Sequence, residues 1–172
     1  MTTSQYEINN YLTLLDIPKS ICLFTHNEII KAFKQKNAYI NLIINLINVK
    51  KEHNKLGHWI ALKINNKTKQ IYIYTCYGLI SEELLDSLIK YYPKFSYIFI
   101  LSQVNQQNLK SSSCGYYSLR FLKEFEPDDL KELNYVVYND DKNIISLQLN
   151  NEMFDINLFT RVIETYLKSL EF

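Results

Sequence analysis

Three residues in this sequence are of types that could act together on a carbonyl: Cys114, His58 and Gln107. Cys114 closes the polar run from Gln107 to Ser113, and Gly115 follows it. An apolar-periodic segment then begins, with Tyr116, Tyr117, Leu119, Phe121 and Leu122, and Pro127 lies shortly beyond. That spacing predicts a largely buried helix with Cys114 at its N-terminus. Orphan amides and the helix dipole favour a thiolate there. A low-pKa thiol beside a loop that can shape an anion pocket suits nucleophilic catalysis. The base would be His58, at the start of a strand in Gly57-His58-Trp59. His26, at a helix start, and His53, in a Lys-rich loop, read as surface residues.

Taken singly, each of these residues has a plainer reading. A lone cysteine is often a small buried hydrophobe, and Cys22 and Cys76 are read that way. His58 alone would be a strand-edge histidine, Trp59 suits a core as well as a site wall, and Gln107 suits an ordinary loop. Gln106 beside it leaves that register open by one residue.

The elements that must position these residues can be read in order. Ser4 and Glu7 form a capping box for a helix carrying Tyr6, Ile8, Tyr11, Leu12, Leu14 and Leu15, which Pro18 ends. Thr25 and Glu28 open a second helix through about Lys36. Tyr39 to Val49 has asparagines at helical spacing but an Ile-rich content, and is read as a buried strand. Trp59 to Ile64 and Gln70 to Tyr74 flank a polar turn and predict a β-hairpin. Ser81 caps a helix from Glu82 to Tyr92 that Pro93 stops, and Ser96 to Leu101 suits a central strand. The tail carries a strand near Asn143–Leu149 and an amphipathic helix capped by Asp155. One α+β domain over residues 1–172 accounts for this pattern, a central mixed sheet packed against helices.

Composition narrows the function classes. The 172 residues are 47% hydrophobic and 22% charged, with 14 Tyr and 9 Phe, so a largely aromatic core is expected. Net charge is +1, which gives no support for DNA or anionic membrane as a partner, although Lys50, Lys51, His53 and Lys55 form a local basic stretch. The Lys, Asn and Ile bias reflects nucleotide composition rather than chemistry. Three widely spaced cysteines match neither a zinc pattern nor a disulfide framework, which points to a reducing compartment. No metal is expected. No signal peptide is read at the start, and the Tyr39–Val49 run is too short and Asn-rich to span a bilayer.

The order of the motifs is more specific than any one of them. Gly57-His58-Trp59, then Tyr77-Gly78 ending the next strand, then Gln107 seven residues before Cys114-Gly115, resembles the adenovirus-type maturation proteases. These share a clan with the SUMO-deconjugating enzymes, in which Gln usually lies closer to Cys. The resemblance covers roughly residues 4–125 and is carried at 57–59, 77–78 and 107–115. It implies a nucleophile Cys114 at the start of the central helix and a base in His58. Gln107 and the Cys114 amide would form an oxyanion hole, and Gly57, Trp59 and Gly115 would border the substrate. The family's acid position reads Thr75, and no carboxylate lies nearer in sequence than Glu82. A Cys-His dyad with Thr75 as a weak orienter is therefore expected, because a thiol ionises without a strong base.

The resemblance further implies a viral endopeptidase that cuts capsid and core precursors at small-residue, Gly-containing sites. It implies a monomer working in a cytoplasmic virus factory and the virion. No cofactor is required by the sequence, and an activating viral peptide is implied only by relatives. A ubiquitin-like deconjugating isopeptidase and a catalytically degenerate peptide-binding module remain the alternatives.

Overall fold

In a computed structural model, residues 5–17, 22–23, 26–45, 59–75, 82–101, 113–139 and 144–148 are described. They build one seven-stranded mixed sheet with helices on both faces. The strands are β1 (Cys22–Leu23), β2 (Tyr39–Asn45), β3 (Trp59–Asn65), β4 (Gln70–Thr75), β5 (Ser96–Leu101), β6 (Asn134–Asn139) and β7 (Ile144–Gln148), and they neighbour one another in chain order. The pairs β1–β2 and β4–β5 are parallel. The pairs β2–β3, β3–β4, β5–β6 and β6–β7 are antiparallel.

Each parallel pair needs a crossover, and a helix supplies it. Helix α2 (His26–Phe33) links β1 to β2, and α3 (Glu82–Tyr91) links β4 to β5. Both pack on one face of the sheet, against Ile40, Leu42, Leu62, Ile64, Ile71 and Ile73. On the other face, α1 (Gln5–Leu14) and α4 (Ser113–Glu124) cover Ile43, Trp59, Ala61, Tyr72, Tyr74, Ile98 and Ile100. The period-two alternation of β3 divides it between the two cores: Ile60, Leu62 and Ile64 face α2 and α3, and Trp59 and Ala61 face α1 and α4. A strand buried on both faces reads as a continuous apolar run, and this one does from Trp59 to Leu62.

Local chemistry sets the boundaries. The hairpin turn closes on Asn65, whose Oδ1 accepts from the amides of Lys67 and Thr68 at 2.9 and 3.1 Å, and Lys69 takes φ 56° to start β4. Helix α1 ends before Pro18 because Asp16 adopts φ 56°, with Ile17 N donating to Leu12 O and Asp16 N to Thr13 O. That is a Schellman ending. Helix α2 stops at Phe33, short of the expected Lys36. The chain turns there towards β2, and Asn66 binds the carbonyls of Asn37 and Ala38. Strand β2 is present through Asn45, as the hairpin and β5 are over their expected ranges. The capping residues Ser4, Thr25 and Ser81, the tail helix at Asp155, and His53 lie outside the described residues, as does Cys76.

One core group is poorly matched to its surroundings. The Tyr92 side chain is buried, and its hydroxyl has no hydrogen-bond partner among the described residues. Burial pushes its pKa up from 10.0 to about 12. Tyr92→Phe is expected to stabilise the fold by roughly 1 kcal/mol, because it removes an unsatisfied buried hydroxyl. The raised folded value means the wild type holds its full stability below pH 10 and loses part of it as pH rises towards 12. Urea unfolding at pH 8 and pH 11 should show a smaller loss for the variant. Equal losses, or a destabilised variant at pH 8, would contradict this assignment.

Candidate active site

Helix α4 begins at Ser113, so the Cys114 backbone lies in its first turn, where the amides have no intrahelical acceptor. The buried residues of α4 include Gly115, Ser118, Leu119, Phe121 and Leu122, with Phe125 just past its end. The first two of these are small, which lets the N-terminal half of the helix approach the sheet closely. There the fully buried Ser118 donates its hydroxyl to the Trp59 carbonyl at 3.3 Å. Ser118 is one turn after Cys114, and Trp59 is the residue after His58. This bond therefore fixes the helix that carries Cys114 against the start of the strand that His58 precedes.

The far end of the helix is fixed to the same strand. Lys63 Nζ donates to the carbonyls of Leu122 and Phe125 at 3.2 and 2.9 Å. A cation at exposed C-terminal carbonyls is favourable. Burial pulls the Lys63 amine below its usual value, and Glu126 and Asp129 partly offset this. Aromatic packing supports the grip, with Tyr74 stacked on Phe121 and Phe121 on Phe125 at centroid separations of 5.1 and 4.6 Å. Helix α1 braces the outer side through Tyr11 against Tyr116 at 5.3 Å, and Lys123 Nζ binds the Leu15 carbonyl.

Sheet topology brings a third element to this end. β4 runs antiparallel to β3, so it finishes where β3 begins, and Thr75 is its last residue, paired with Leu101 of β5. The described backbone thus carries Cys114 and Thr75 to the end of the sheet that His58 precedes. Gly57, His58 and Gln107 themselves lie outside the described residues. Trp59 is 1% exposed and packs with Ile8, Leu12 and Leu119, so of its two sequence readings the structure favours core over substrate wall. Gly115 is likewise buried, in the close approach of helix to sheet. Asp86, a conceivable distant acid, is an exposed residue of α3, in the layer across the sheet from α4. Asp155 lies outside the described residues.

Sequence reasoning missed Ser118 and Lys63. The only signal for each was a polar residue on an otherwise apolar face, the serine on the buried stripe of α4 and the lysine in the β3 alternation. Among the described residues no group of three His, Cys, Asp or Glu could hold a metal ion, and no helix is long and apolar enough to cross a membrane.

The start of the helix that carries Cys114 is thus held against the strand that begins at Trp59. The model of the Ulp1 protease family, C-terminal catalytic domain, matches residues 25–155. The chain belongs to the Ulp1 protease family. The matched segment spans His58, Thr75, Gln107 and Cys114. A search of curated proteins found no match. As an Ulp1-family domain the chain is a cysteine protease in the broad sense, a hydrolase of the clan that the motif order indicated. Its α+β architecture fits that family. The family matched is Ulp1, and an adenovirus-type subgroup is a finer statement than this match carries.

Proposed function

We propose that the chain is a thiol endopeptidase that processes viral capsid and core precursors at small-residue, Gly-containing sites during particle maturation. The observation that carries the catalytic part is the Ser118–Trp59 bond, which ties the Cys114 helix to the strand after His58. Cys114 attacks the scissile carbonyl as thiolate, and His58 holds the proton and returns it to the leaving amine. Gln107 and the Cys114 amide donate to the developing oxyanion, and loss of one such donor costs on the order of a hundredfold in rate. Thr75 orients the imidazole without stabilising its charged form as a carboxylate would. The spacing of Gln107 to Cys114 supports the maturation reading. That reading places the enzyme in a virus factory and the virion, as a monomer, with a viral peptide as a conceivable activator.

The family match is equally consistent with a second reading, cleavage of ubiquitin-like modifiers from their conjugates. A substrate panel separates the two. The maturation reading expects internal Gly-containing peptides to be cut at least about tenfold faster, in kcat/KM, than a folded ubiquitin-like domain fused through its C-terminal tail. Faster cleavage of the folded fusion, with short peptides inert, would reverse the assignment.

A further inference from the structure

On the face of the sheet away from α4, helices α2 and α3 border an open groove of about 590 Å³. Its lining carries Lys31, Lys34 and Lys90 with Asn27, Ser87 and Tyr91, and among the described residues no carboxylate lines it. Lys31 and Lys90 stand in the last turns of their helices, where the C-terminal dipole attracts a cation. That accounts for each lysine singly but not for their convergence. Two helix ends carry roughly half a negative charge each, less than the charge of the three ammonium groups that line the concavity. The geometry is partly fixed in advance. Lys90 Nζ lies over the Tyr91 ring at 5.4 Å, and that ring packs on buried Phe33 at 5.9 Å.

We propose that this groove binds a small, multiply charged phosphate ligand. Lysine is a point-charge partner for phosphate, and the Asn27 amide and Ser87 hydroxyl add neutral donors for phosphate oxygens. The volume is in the range of small-ligand sites. The cations surround a concavity and do not form the extended stripe that tracking a nucleic-acid backbone requires. The proposal is independent of the catalytic reading, because the groove lies across the sheet from Cys114.

Inorganic tripolyphosphate is the probe, measured by calorimetry and thermal melting of the whole chain at fixed ionic strength. Saturable binding with one site per chain is expected, together with a raised melting temperature. The triple variant Lys31→Gln, Lys34→Gln, Lys90→Gln should bind at least about tenfold more weakly. Lys131→Gln, remote on the 3-10 helix Pro127–Glu132, should bind like wild type. If the triple variant fails to fold, Lys34→Gln alone, at an exposed position just past α2, must weaken binding about threefold. Three results would overturn the proposal: equal binding by the variants, an equal melting shift with sulfate at the same ionic strength, or tighter binding of a single-stranded oligonucleotide than of tripolyphosphate.

Discussion

Cys114→Ala is expected to lower hydrolysis by at least about a thousandfold, because the proposed mechanism forms the acyl-enzyme bond on its thiol. The fold should survive. The substitution is small, alanine is the best helix former, and the contacts that hold α4 to the sheet come from Ser118, Leu119, Leu122 and Lys63. The melting temperature should therefore stay within a few degrees of wild type while turnover vanishes. Cys114→Ser should be nearly as inactive, since a hydroxyl needs a stronger base than a thiol does. Kinetics on whichever substrate the panel selects, run beside a thermal melt, check both halves. If Cys114→Ala retains more than a tenth of wild-type kcat/KM, the nucleophile has been misassigned.

The largest expected stability effect belongs to Trp59. It is the largest fully buried side chain, it joins α1 and α4 to the sheet, and its carbonyl receives the Ser118 hydroxyl. Trp59→Ala should destabilise the fold by about 3–5 kcal/mol, the usual cost of removing a large buried aromatic. A typical domain has only about 5–15 kcal/mol in total, so much of the chain should unfold at modest urea. Trp59→Phe keeps most of the apolar volume and should cost markedly less. Activity should fall with the folded fraction in both. A loss below 1 kcal/mol for Trp59→Ala, measured by urea unfolding, would mean that the α1–α4 layer does not depend on this side chain.

How far the sequence could be read depended on whether the signal was local. The hairpin was legible because alternation and an asparagine-rich turn act within a few residues, and Asn65 makes its turn bonds only two and three residues ahead. The Cys114 helix was legible for the same reason, from its apolar period and the polar run before it. Strand β6 went unread because Tyr135 to Tyr138 is a short apolar run after an acidic stretch. Its pairing with β5 is decided by residues almost forty positions away. The end of α2 comes before Lys36, and the segment that leads into β2 is held by Asn66, beyond β3, a long-range contact with no local signal. In the candidate site, motif order points to Cys114 and Thr75 as expectations about chemistry, and the backbone carries both to one end of the sheet. Ser118 was not legible, because its importance lies in a bond spanning 59 residues that no local pattern encodes. The Trp59 side chain had two readings in the sequence, and only packing chose between them.

The central claim is that Cys114 is held as a reactive thiol by His58. Alkylation by iodoacetamide across pH tests it most directly, with wild type compared to Cys114→Ala and His58→Ala. The account predicts that Cys114 is labelled selectively well below the free-thiol pKa of about 8.5. That reactivity should disappear in Cys114→Ala, and His58→Ala should shift its pH midpoint up towards the free-thiol value. Labelling of Cys114 no faster than of Cys22 and Cys76, with a profile unchanged by His58→Ala, would contradict it.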